Sequence, residues 1–90
     1  MRKIKLSSGF KKDLKLMLKR GKNPEKLEKV IDYLVKNEDL PLKYKDHKLI
    51  GNFVGCRDCH LEPDWVLIYR NLENEVILER TGTHCDLFKK

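Results

Sequence analysis

Along the first half of the chain, apolar residues recur at helical spacing in two stretches. Phe10, Leu14, Met17 and Leu18 form the first, and Leu27, Val30, Ile31, Leu34 and Val35 the second. A stripe at three- and four-residue intervals is the mark of a helix with one buried face. Both stretches carry end signals. Ser7 or Ser8 can cap the first helix and Gly21 can end it. Asn23-Pro24-Glu25 reads as a second start, with Asn as cap, Pro at the first helical position and an acid in the first turn. Ahead of them, residues 2–6 alternate charged and apolar with Ile4 and Leu6 on one side, which suits a short strand.

After a loop through Glu38-Asp39-Leu40-Pro41 the pattern changes. Phe53 to Leu61 reads as a strand, with Gly55 pointing to a bulge or a close approach. Glu62-Pro63-Asp64 turns the chain into a buried strand, Trp65 to Tyr69. Asn71 to Asn74 turns it again into the last long strand, Glu75 to Thr81, which Gly82 breaks. The order is β-α-α-β-β-β. Strands joined by short turns run antiparallel, so the expected class is α+β: a largely antiparallel sheet with two N-terminal helices on one face. Trp65, Leu67, Tyr69, Val76 and Leu78 should supply the sheet's share of the core. Ninety residues without a linker, a repeat or a low-complexity tract suit a single domain over 1–90.

Charge adds a direction. The net charge is +6, and residues 1–22 hold nine Lys or Arg against one acid, Asp13. Such a surface draws polyanions: RNA, DNA or an acidic protein. A solvated helix face would look the same. No stretch reaches the roughly 18 apolar residues of a membrane span, and no apolar run follows the basic start as in a secretory signal. Three cysteines without an export signal suggest reduced thiols in a cytoplasm.

The polar residues that fit no core position gather in the second half. His47, His60, His84, Asp64 and Arg80 all fall at strand ends or in adjoining loops, where hairpin turns can bring them together. RNA cleavage without a metal needs a base for the 2′-OH, an acid for the departing 5′ oxygen and a cation for the phosphate. Histidine can serve in either proton role, and Arg matches phosphate oxygens with a planar fork. Cys56-Arg57-Asp58-Cys59-His60 also fits the C-x-x-C-H pattern of haem attachment, and Cys56, Cys59, His84 and Cys85 could be read as zinc ligands. Both readings fare poorly on a strand, where Cys56 and Cys59 point to opposite faces and no Gly makes a knuckle. The cysteines read as packing residues or incidental thiols.

Three segments carry a resemblance. Tyr44-Lys45-Asp46-His47-Lys48-Leu49-Ile50-Gly51 resembles the Y-K-D-H-x-L-x-G segment of YafQ-type toxins, within the RelE superfamily. Gly55 to Tyr69 resembles their G-x-R-D-x-H-x-E-P-D-W-x-L-I-Y segment. Glu79-Arg80-Thr81-Gly82-Thr83-His84-Cys85-Asp86-Leu87-Phe88 resembles their E-R-T-G-T-H-x-x-L-F ending. The motifs occur in order and cover most of residues 44–88. The resemblance implies a RelE-like fold and a ribosome-dependent endoribonuclease that cuts mRNA in the A site. It implies no metal or other cofactor. It also implies an antitoxin from the same operon, through which the complex would bind operator DNA. Carried over residue by residue, the catalytic set is His47, His60, Asp64, Arg80 and His84. His84 is expected as general acid and Arg80 as phosphate contact, while His47, His60 and Asp64 remain open as the base. Phe88 and Trp65 are candidate substrate contacts, Phe88 by stacking on a base or as a tail packed on the sheet, Trp65 with core as the favoured reading. Lys11, Lys12, Lys15, Lys19, Arg20 and Lys22 would dock on ribosomal RNA. The competing classes are a non-enzymatic basic nucleic-acid-binding module and a small Cys/His metal-binding protein.

Overall fold

The computed structural model describes residues 2–88. Strand β1 (Lys3–Leu6) leads directly into helix α1 (Ser8–Lys19), which is capped by Ser7: its Oγ accepts the Phe10 N–H at 2.9 Å. Gly21 closes that helix at φ +87°, a left-handed position that glycine adopts without a Cβ clash. Asn23 caps helix α2 (Pro24–Val35) by accepting the Glu25 N–H at 3.0 Å. Helix α1 therefore starts and stops, and α2 starts, where the cap residues indicate.

The remainder is a short 3-10 turn at Leu42–Tyr44, strand β2 (His47–Lys48), a second 3-10 turn at Gly51–Phe53, and strands β3 (Arg57–Glu62), β4 (Trp65–Asn71) and β5 (Glu75–Gly82). A short helix α3 (His84–Phe88) follows. The five strands form one sheet in the order β1-β5-β4-β3-β2, antiparallel except that β1 runs parallel to β5. The expectation of an α+β fold with a largely antiparallel sheet is met, with three refinements. The strand expected from Phe53 begins only at Arg57, because the Gly51–Phe53 turn and Gly55 at φ +88° reverse the chain first. A Cβ on Gly55 would stand 2.9 Å from Arg70 Nη1, so the close approach expected at this glycine is made by a guanidinium. Strand β2 and helix α3 are additions, being too short to show a period.

Each sheet face has its own cover. On one, Phe10 and Met17 of α1 and Leu27, Val30 and Leu34 of α2 pack on Leu67, Tyr69, Val76 and Leu78, with Trp65 beneath. Burying one such side chain contributes about 1.5–3 kcal/mol. On the other, Leu87 of α3 joins Cys56, Val66 and Ile68, with Leu49, Phe53 and Phe88 around them. Beyond Leu6 the edge of β5 loses its strand partner, and side chains take over. Ser7 Oγ donates to the Glu79 carbonyl at 2.6 Å, and Asp13 accepts the Thr81 N–H at 3.1 Å. No helix among the described residues is long and apolar enough to cross a membrane.

Candidate active site

Strand alternation decides which residues of β3 meet. Asp58 and His60 lie two apart, on the face that carries Val66 and Ile68, while Cys59 and Leu61 enter the core beneath α1 and α2. The two-residue strand β2 then sets His47 opposite Asp58 in register. At the far end of β5, helix α3 brings His84 over the same face, its ring centroid 5.2 Å from that of His60 in an edge-to-face contact.

Helix α3 has five residues and is held from several sides. Thr83 and Asp86 cap it reciprocally: Thr83 Oγ1 accepts the Asp86 N–H, and Asp86 Oδ2 accepts the Thr83 N–H, both at 3.1 Å. Arg20 donates to Asp86 at 2.8 Å from the end of α1. A Cβ on Gly82 would meet the Asp86 Cβ at 3.1 Å, so the glycine in Thr81-Gly82-Thr83 permits the close return of the helix. Asp64, in the β3–β4 turn, accepts the His84 N–H at 3.0 Å, and the same oxygen lies 2.7 Å from His84 Nδ1. A carboxylate only accepts, so Nδ1 carries the proton and Nε2 is the nitrogen left to act outward. The His84 backbone N–H, and then its ring, hold the Asp64 carboxyl below the usual range.

His60 is half-buried. Burial pushes its ring toward the neutral form, helped by the positive fields of His84, Lys45 and His47, while Asp58 opposes the shift. Asp58 itself is 3% exposed. Burial raises its pKa, and His47, then His60, then His84 pull it back down. His47 Nδ1 is 2.9 Å from Asp58 Oδ1 but equally 2.9 Å from the Lys45 carbonyl. One proton cannot serve both. The geometry favours the carbonyl, leaving Asp58 Oδ1 buried without a hydrogen-bond partner. Asp58 was missed as a site residue. Its spacing two before His60 was the available signal.

The other candidates sort by position. Arg80 sits at the edge of β5, where its Nε and Nη2 both bond Asp13 (Nη2 to Oδ1 at 3.2 Å), so part of its fork is committed within the chain. Phe88 is half-buried, edge-on to Phe53 at 5.9 Å and 6.1 Å from the His84 ring. Trp65 as a substrate contact is corrected: it is fully buried, and its Nε1 donates to Thr81 Oγ1 at 2.9 Å. Lys11, Lys12, Lys15 and Lys19 are exposed on α1, turned away from Phe10 and Met17. Arg20 and Lys22 do not share that freedom, since Arg20 holds Asp86 and Lys22 holds Glu62 at 3.0 Å. Cys56 and Cys59 pack on opposite faces of the sheet. Among the described residues, no three His, Cys, Asp or Glu side chains are arranged to hold a metal ion.

The sequence matches the family described as the bacterial toxin of type II toxin–antitoxin systems, YafQ, over residues 2–89. The mRNA interferase toxin YafQ of Escherichia coli K12 is 47% identical over 88 residues, covering 97% of this chain and 96% of that protein. The crystal structure of YafQ from E. coli BL21(DE3) superposes with a TM-score of 0.92 at 45% identity, covering 98% of this chain and 99% of that one. YafQ in the E. coli DinJ–YafQ complex does so with a TM-score of 0.90 at 46% identity and the same coverage. A match along nearly the whole length in both sequence and structure leaves one assignment: the chain belongs to the YafQ family of bacterial toxins.

Proposed function

We propose that this chain is the toxin of a type II toxin–antitoxin pair, a ribosome-dependent endoribonuclease that cuts mRNA in the A site and so stops translation. The observation that carries the reading is the pairing of His60 and His84, 5.2 Å apart, with Asp64 fixing the tautomer of one and burial keeping the other neutral. Two imidazoles in different environments suit two different proton tasks. His60 takes the proton of the 2′-OH. The freed oxygen attacks the adjacent phosphorus, a 2′,3′-cyclic phosphate forms, and the bond to the 5′ oxygen breaks. His84, protonated on Nε2 and backed by Asp64, gives that oxygen its proton. Arg80 contacts the phosphate with the part of its fork that Asp13 leaves, and Phe88 flanks the nucleotide beside His84. His47, through Asp58, tunes the charge around His60. No step needs a metal or another cofactor.

The partners follow from the same reading. The family places an antitoxin beside the toxin, and YafQ of E. coli is known in complex with DinJ. An antitoxin from the same operon would bind this chain and carry the pair to operator DNA. Ribosomal RNA would meet the lysines of α1, in the cytoplasm where ribosomes are. The test is cleavage of a defined mRNA, with and without programmed ribosomes, by wild type and His84→Ala. Cuts at discrete A-site positions that require the ribosome, and that slow by about 10²–10⁴ in the variant, are the expected result. A folded wild type that cuts under neither condition would return the chain to the class of basic nucleic-acid-binding modules.

A further inference from the structure

A groove of about 450 Å³ opens beside His60, between α2 and the Leu42–Lys45 turn, and four of its nine lining residues are lysines. Lys26 and Lys29 reach it from α2, and Lys43 and Lys45 from the turn. The acid in its wall, Glu62, already has both oxygens taken, by Lys22 at 3.0 Å and Lys26 at 2.9 Å. Lys29, Lys43 and Lys45 are exposed and have no carboxylate partner among the described residues. Three uncompensated ammonium groups in one concave surface attract an anion with more than one charge.

Resting on the ribonuclease reading above, we propose that this groove is a second substrate site, which holds the backbone phosphates of the mRNA next to the linkage being cut. The position fits that role, since His60 lines the groove and also faces His84 across 5.2 Å. The turn is tied to the candidate site. Lys45 sits at φ +51°, and its carbonyl lies 2.9 Å from His47 Nδ1. The positive charge of Lys45 is felt at the His60 ring, so groove and site share one field. Backbone rather than base is the ligand. The aromatic ring in the wall, Tyr44, is 8% exposed and edge-on to Tyr33, with Lys43 Nζ 5.1 Å above it, and offers no open stacking face. Contacts of this kind position a strand without reading its sequence.

The test uses the intact chain on ribosomes programmed with mRNA that carries a single uncharged methylphosphonate at each linkage flanking the scissile one. Wild type is compared with the combined Lys29→Gln, Lys43→Gln and Lys45→Gln variant, in single-turnover cleavage. On one side, the uncharged linkage should slow wild type about tenfold or more, as loss of a charge-assisted contact does. The variant should be slowed similarly on ordinary mRNA, and the two changes together should cost little more than either alone. The slope of log affinity for mRNA against log salt should fall by about 0.7 for each contact removed. Losses that multiply, or a wild type indifferent to every flanking substitution, would overturn the proposal, and the second of these needs no variant at all. So would a variant that cuts normally but no longer binds the antitoxin, which would give the groove to an acidic peptide. Failure of the parent reading looks different, because wild type would then leave unmodified mRNA on the ribosome intact.

Discussion

Asp58 is a carboxylate enclosed by a strand, with one oxygen unsatisfied and three imidazoles in its field. Its charge favours protonation of His60, so removing it should act on the proposed base. In Asp58→Asn, the acid limb of the cleavage–pH profile is expected to move to lower pH, away from the ordinary imidazole value of about 6.5. A limb that stays in place would free His60 from Asp58. Stability should respond with the opposite merit. A carboxyl whose folded pKa is raised supports the fold below its unfolded value of about 3.9 and loses that support as pH rises through the folded value. The variant should therefore gain on wild type in Tm between about pH 4 and neutrality. Trp65 belongs to the same scale with a different lesson. Trp65→Phe removes the bond to Thr81 and some volume, and about 1–3 kcal/mol of stability should go with them. Denaturant midpoints measure the loss, and cleavage per folded molecule should persist. Loss of cleavage at unchanged stability would place the indole in the chemistry after all. His60, Asp64 and His84 were legible because motif and position agree on them. Asp58 carried a signal as well, its spacing two before His60 on one strand face, but its place beside His47 shows only once β2 pairs there.

At the scale of elements, helices α1 and α2 and strands β4 and β5 each run long enough to repeat their pattern, and each could be read from it. Two residues of β2 and five of α3 cannot repeat anything, yet they deliver His47 and His84 to the site. Hairpin reasoning explains β3, β4 and β5. It does not reach β1, whose partner β5 is fixed by packing rather than by a turn, and which pairs in parallel. The edge beyond β1 is finished by Asp13, which binds both the Thr81 N–H and the Arg80 guanidinium. Asp13→Ala leaves the amide without its acceptor and the guanidinium without its guide. A loss of about 1–3 kcal/mol in unfolding free energy is expected. With Arg80 in its proposed role as phosphate contact, cleavage should weaken through kcat. A variant as stable as wild type would mean that water replaces the carboxylate at no cost.

The molecule as a whole divides its charge by surface. Lys11, Lys12, Lys15 and Lys19 line the outer side of α1, and Arg20 at its end ties that helix to α3 beside the site. Changing the four lysines to Glu should weaken ribosome association and flatten its salt dependence, while Tm moves little, because exposed charges contribute little to folding. Unchanged association at physiological salt would remove α1 from the docking surface. The parallel edge has a consequence in time as well as in space. Lys3 pairs with Glu75 and Leu6 with Leu78, so the first strand has no partner until the last has been made. Contacts that far apart in sequence slow folding. During synthesis β1 must wait while α1, α2 and the β3–β4 hairpin emerge, and β5 brings Arg80 and His84 with it when it docks. Closure of the sheet and assembly of the proposed catalytic set are thus one late event, and a half-made toxin has neither.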